Sequence, residues 1–222
     1  MKSSLLVTLL ILISGFAFTQ TIPSVKIGNQ VWMTKNLNVS KFRNGDPIPE
    51  VRSKEEWVKA VENGQPGWCY YENNPANWAK YGKLYNWYAV IDIRGLCPTG
   101  WHVPSDAEWT VLTDYLGGEN VAGVKMKSTS GWDNNGNGTN SSGFSGLPGG
   151  YLTDFGPFAG VDRNGCWWSS TEYYAWPRKA VGRAQPPKRL AWYRNLAHDA
   201  GSVYRNDFPT GPGMSVRCLK DL

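Results

Sequence analysis

The sequence predicts an α+β fold, a single loop-rich domain in which short helices and short strands share one core. Three observations carry this. The chain has 222 residues, enough for one substantial core and too few for two comfortable domains. Its composition sets 12 Trp and 11 Tyr beside 25 Gly, aromatic anchors among turn residues, with few long helical patterns. Its apolar spacing switches between the alternation of strands and the three-to-four step of helices, and no repeat, charge block or linker divides it.

The first 19 residues read as a secretory signal peptide. One Lys precedes an apolar run from Leu5 to Phe18, and Ala17 and Thr19 take the small positions before a cleavage site near Thr19–Gln20. The run is too short and wrongly flanked for a stable transmembrane span. No Cys follows it as a lipoprotein would require, and no other stretch could cross a membrane. The expected mature protein is one exported, soluble domain over residues 20–222, secreted or held at the cell surface.

"VKIGNQVWMTKNL" (Val25–Leu37) alternates around Gly28-Asn29, a hairpin signal. "SKEEWVKAVEN" (Ser53–Asn63) fits a short helix: Ser53 caps, Glu56 stands three later, Trp57, Val58 and Val61 share a face, and Gly64 ends it. "WCYYEN" and "KLYNWYAVI" are aromatic, β-prone runs on either side of the turn-rich "NPANWAKYG".

"CPTGWHVPSDAEW" (Cys97–Trp109) holds the residue types of an active site, yet each has a structural reading. Ser105 and Glu108 form a capping box, and Asp106 and Glu108 suit the positive end of the helix dipole. Trp109, Leu112, Tyr115 and Leu116 share a face before Gly117-Gly118 stop the helix. His102 is the one group without a task, and it reads as a packed or surface residue.

"GWDNNGNGTNSSGFSGLPGGYL" is turn chemistry throughout. Asp133, Asn135, Asn137 and Gly138 match the opening of a calcium loop, but Phe144 stands where the closing acid belongs. A self-bonded Asx-rich loop is the preferred reading; no cofactor is required, and a structural calcium is the one metal left open. "GCWWSST" (Gly165–Thr171) alternates, which sends Trp167 and Trp168 to opposite faces of a strand. In the closing "GMSVRCLKD", Met214, Val216 and Cys218 share one strand face.

Four cysteines (Cys69, Cys97, Cys166, Cys218) in an exported chain favour two disulfides, with the pairing open. A metal site is the rival, but no two cysteines are close in sequence, and only His102 and His198 could add nitrogen ligands. The formal charge of +5 is concentrated between Glu172 and Asp207, where Arg178, Lys179, Arg183, Lys188, Arg189, Arg194 and Arg205 face only three acids. That segment is either a solvated loop or a surface for anionic partners.

Seven ordered motifs then point to a family: "IGNQVWMTKNL", "YGKLYNWYAV", "LCPTGWHVPSDAEW", "YLGG", "GTNSSGFSGLPGGY", "WWSST" and "SVRCLKD". Together they resemble the Fibrobacter succinogenes major paralogous domain, over Ile27 to Asp221. That family is similar in turn to the formylglycine-generating enzyme group and to the C-type lectin-like fold. The resemblance implies two short helices, a small twisted antiparallel sheet and long irregular loops on one side. It implies a Cys97–Cys218 bridge between helix region and last strand, leaving Cys69–Cys166 as the second. It also implies secreted or surface-displayed bacterial proteins without a settled activity. The formylglycine-generating enzymes hold copper with two cysteines late in the chain; beyond Trp168 this sequence has only Cys218, so that machinery is not matched.

The expected function is therefore a non-catalytic binding module outside the cell, adhesive or ligand-binding, and not an enzyme. Its expected surface is the stretch before the last strand, where lectin-like loops present ligands. Aromatics there (Tyr173, Tyr174, Trp176, Tyr193 and Tyr204) can stack on sugars or pack on a protein, and about half are expected to be exposed. Arginines there (Arg178, Arg183, Arg189, Arg194 and Arg205) can clasp carboxylates and phosphates. The calcium-dependent sugar triplets Glu-Pro-Asn and Gln-Pro-Asp do not occur, which favours an extracellular protein or an anionic glycan as partner. Nucleic acid is disfavoured, since the basic groups follow no known signature. The alternative is a structural or assembly component of the cell surface that self-associates; third comes a degenerate relative of the formylglycine-generating enzymes with residual catalysis.

Overall fold

The computed structural model of the protein describes residues 21–175 and 188–222. The expected signal peptide and the candidate residues Trp176, Arg178 and Arg183 lie outside the described residues.

The chain opens with the expected hairpin, β1 (Ser24–Ile27) on β2 (Gln30–Met33), turning at Gly28 with φ of +60°. A Cβ at Gly28 would stand 2.9 Å from the Tyr115 ring, so only glycine suits both the turn and the contact. Helix α1 (Lys54–Glu62) has both halves of its capping box and buries Trp57, whose indole N–H donates to the Gly211 carbonyl at 2.9 Å.

The next segment departs from expectation. Of two long β-prone runs, only β3 (Trp68–Cys69) and β4 (Leu84–Tyr85) pair, with helix α2 (Trp78–Tyr81) between them. "NWYAV" becomes helix α3 (Trp87–Val90) because the Asn86 side chain accepts from the Ala89 amide and caps it, an interaction that overrides the aromatic preference for strand.

Strand β5 (Trp101–His102) leads to α4 (Asp106–Tyr115), whose Ser105–Glu108 capping box is complete. Trp109, Leu112 and Leu116 are buried, whereas Tyr115 lies outside against the hairpin. Gly117 and Gly118 stop α4 as expected, but the chain re-enters a helix at once, α5 (Glu119–Met126). The expectation of two helices is thus corrected upward.

After the turn-rich loop come β6 (Gly149–Leu152) and β7 (Phe158–Val161), then β8 (Asn164–Ala175), β9 (Lys188–Ala197) and β10 (Val203–Pro209), and last β11 (Leu219–Lys220). The expected ligand-presenting loops are instead largely an antiparallel ladder, because their aromatics and arginines alternate and pair across strands. One sheet has the order β1-β2-β11-β5, placing the last strand beside the first hairpin; the second has the order β10-β9-β8-β6-β7. The architecture is α+β, with short helices packed around small sheets.

Trp167 and Trp168 do point to opposite faces: one joins Trp32, Trp109 and Phe144, the other Tyr85, Trp87 and Met214. Cys97 and Cys218 are bridged, with Cα atoms 6.1 Å apart, across 121 residues of chain. The second expected bridge is corrected. Cys69 sits among Trp57, Tyr71 and Leu84, and Cys166 among Trp168 and Met214; the two are buried thiols in different parts of the core. Among the described residues no helix is long and apolar enough to cross a membrane.

Candidate functional site

The seven described candidates on β8–β10 do not form one surface. Strand periodicity sends Tyr173, Trp192, Arg194 and Arg205 to one face and Tyr174, Arg189, Tyr193 and Tyr204 to the other. The arginines are largely spent internally. Arg194 is only 1% exposed and donates to the Asp106 carboxylate at 2.7 Å and to Thr110 Oγ1 at 3.1 Å. Arg205 grips the same carboxylate at 2.8 Å and lies over the Trp192 ring, 3.6 Å from its centre. Burial pushes the Asp106 pKa up, but the two guanidiniums more than offset this and leave it below the usual carboxylate range. Arg189 pairs with Glu172. Tyr193 is half-buried between Trp168 and Phe208. Tyr173, Tyr174 and Tyr204 remain exposed. The described candidates are thus split between two faces, and Arg189, Arg194 and Arg205 each answer a specific acid.

The calcium-like loop bonds to itself. Asp133 accepts from the Asn134 amide at 2.9 Å and pairs with Arg163 at 3.1 Å, while Asn137 Oδ1 turns inward to the Trp132 amide at 3.0 Å. Asn135 has φ of +60°, a turn conformation that asparagine tolerates. Among the described residues no three His, Cys, Asp or Glu side chains converge as a metal would need.

His102 has a clear task. Its Nδ1 lies 2.7 Å from Asp221 Oδ1 and its Nε2 2.9 Å from Glu108 Oε1, so it joins the start of α4 to the end of β11. Burial alone would lower its pKa, but the two carboxylates outweigh this and raise it.

A cleft lies elsewhere among the described residues. About 420 Å³ in volume, it is walled by the segment after β2 (Thr34, Lys35, Asn36, Asn38), by Trp78 and Lys80 of α2, by Ser128, Ser145 and Leu147, and by Arg217. Lys35, Lys80 and Trp78 stand at the exposed rim, and Arg217, 1% exposed, is the deep wall. Its Nη1 donates to the Phe144 carbonyl and its Nη2 to Asn36 Oδ1 at 2.7 Å, and its plane rests 4.1 Å from the centre of the Phe144 ring. Its Nε–H is buried without an acceptor. Among the described residues no carboxylate pairs with it. Burial pulls its pKa down to about 9, which leaves it a cation at neutral pH.

Asn36 holds this group in place. Its amide donates to the Tyr81 carbonyl at 2.9 Å and to Ser215 Oγ at 3.1 Å, and its oxygen also accepts from the Trp167 indole at 2.8 Å. Residue type alone does not single out Arg217, although its spacing carries a signal. Met214, Val216 and Cys218 mark one buried face of the terminal segment, which leaves Arg217 on the other face beside Leu219, itself buried. A charge between two apolar faces needs a partner.

A family model, described as Fibrobacter succinogenes major domain, matches residues 25–220, nearly the whole described chain. No curated protein and no solved structure matches it.

Proposed function

The chain belongs to the Fibrobacter succinogenes major domain family, and from that premise we propose that it is a non-catalytic binding module, exported from the cell, that holds an anionic ligand in the cleft walled by Arg217. One observation carries the reading: a buried guanidinium lines a cleft of about 420 Å³ and has no carboxylate among the described residues. Leaving a cation out of water without a counter-charge costs several kcal/mol, and a bound anion would offset that cost. Lys35 and Lys80 at the rim add a field that draws anions inward.

Export is supported by the N-terminal apolar run and by the Cys97–Cys218 bridge, which an oxidising compartment maintains. The lack of catalysis is part of the proposal. Supporting it, both ring nitrogens of His102 are engaged by carboxylates, and burial pushes the Cys69 and Cys166 thiols up in pKa, away from the reactive thiolate. We read the fold as C-type lectin-like. The pairing of β2 with β11, and the bridge tying the last strand to the region before α4, support that reading.

The test is titration of the full chain with anionic polysaccharides, followed by calorimetry, against Arg217→Met. Removing a charged, hydrogen-bonding partner should weaken binding by about 10- to 100-fold. Equal binding by the variant, or equal binding of neutral glycans, would overturn the reading. A second reading, an assembly component of the cell surface, is favoured by β10, the outer strand of its sheet, which carries the exposed Tyr204. Concentration-dependent mass in light scattering, without glycan binding, would select it.

A further inference from the structure

We infer that the anion held by Arg217 is the carboxylate of a pyranose ring, so that the cleft is a subsite for a hexuronate unit of an acidic polysaccharide. This rests on the anion-binding reading of the same cleft.

A guanidinium carries five N–H groups in one plane. Arg217 spends one on the Phe144 carbonyl and one on Asn36, and its Nε–H has no acceptor. The unspent donors lie in the plane of a single group, with the Nε–H buried behind the cleft wall, and a planar carboxylate is the anion whose oxygens match such coplanar donors. A sulfate or phosphate, tetrahedral and more heavily charged, is better held by several cations converging from different directions. Here one cation is buried and the other two, Lys35 and Lys80, stand at the exposed rim. Lys80 is further tempered by Asp162, 3.8 Å away.

The rest of the wall argues for a sugar. Trp78 is 52% exposed and lines the cleft. A large apolar side chain left in water beside a buried cation gives a flat surface for the apolar face of a pyranose. Thr34 and Asn38 offer a hydroxyl and an amide, which both donate and accept, while the Ser128 and Ser145 hydroxyls are bonded within the wall. An inorganic anion uses donors only; sugar hydroxyls use both. The volume of about 420 Å³ falls within the range of small-ligand sites and far exceeds the roughly 30 Å³ of a water molecule. The two rim lysines then meet carboxylates on neighbouring units of the chain, contacts that salt weakens.

The experiment compares four probes on the full chain by calorimetry: oligogalacturonate, its methyl ester, a sulfated oligosaccharide of equal length, and sodium sulfate. The expected result is binding of oligogalacturonate, weakened at least 10-fold by esterification, which keeps the ring and removes the charge. Trp78→Ala, at an exposed position where folding is not at risk, should weaken the same ligand by about 5- to 10-fold while sparing any binding of sodium sulfate. Arg217→Met should lose it. If the sulfated oligosaccharide binds and loses affinity in Arg217→Met, while oligogalacturonate does not bind, the hexuronate assignment fails and the anion reading stands. If the methyl ester binds as well as the acid, or Arg217→Met binds as well as wild type, both fail.

Discussion

The single bridge makes a strong prediction, because it closes a loop of more than half the chain and its second cysteine adjoins Arg217. Cys97 and Cys218 are 121 residues apart. Chain-entropy loss in the unfolded state for a loop of that length corresponds to about 5 kcal/mol at room temperature. In a domain of this size about 1 kcal/mol moves the melting temperature by roughly 2–4 °C, so a Cys97→Ala/Cys218→Ala variant should melt about 10–20 °C lower. Differential scanning calorimetry measures this directly. A thiol assay completes the test. Denatured without reductant, wild type should titrate two thiols per chain, Cys69 and Cys166. In the native state neither should react, since both are buried and burial raises both pKa values, that of Cys166 to about 12. No free thiols in the denatured protein would mean two bridges, and an unchanged melting point in the variant would mean the Cys97–Cys218 link carries no constraint; either result refutes the reasoning.

Three further predictions concern charges. Asp106→Ala should destabilise by about 3–5 kcal/mol, because it strips the buried Arg194 of its carboxylate, and Arg194→Met in the same background should recover much of the loss in urea unfolding. His102→Gln should cost at most about 1 kcal/mol, as the ion pairs are about one-third exposed. Because His102 titrates higher when folded, that cost should be full below the unfolded imidazole value of about 6.5 and fade as pH rises through the folded value. On the acid side it should also fade as Glu108 protonates below its lowered pKa, so a melting-point gap that widens above neutral pH would contradict the clamp. Arg217→Met should leave unligated stability unchanged or raise it: burial of the charge costs several kcal/mol, Asn36 keeps its bond from Trp167, and only the Phe144 carbonyl is orphaned.

Local rules accounted for much of the fold. The Gly28 hairpin, both capping boxes and the divergence of Trp167 and Trp168 all follow from contacts within a few residues, where spacing alone decides geometry. What escaped depended on distance. Beyond Thr171 the β8–β10 ladder reads as a loop because arginines interrupt its apolar alternation, and their neutralisation needs Asp106, 88 residues before Arg194. Cysteine count could not separate one bridge from two, since burial in different core clusters is a tertiary fact. Residue type marked a basic stretch as the candidate site, yet type says nothing about whether a charge is already answered. Arg217 was hidden for the complementary reason: the alternation of Met214, Val216 and Cys218 sets it on the other face of the terminal segment, but only its surroundings reveal that it lacks an acid.

The central claim, that Arg217 awaits an anion from solution, is tested most directly by ligand-dependent melting of wild type and Arg217→Met side by side. At a ligand concentration one hundred times the dissociation constant, binding should stabilise wild type by about 2.7 kcal/mol, or roughly 5–10 °C here. Oligogalacturonate should produce that rise in wild type and none in Arg217→Met, even though the variant starts at an equal or higher melting temperature. The same rise in both proteins would contradict the account.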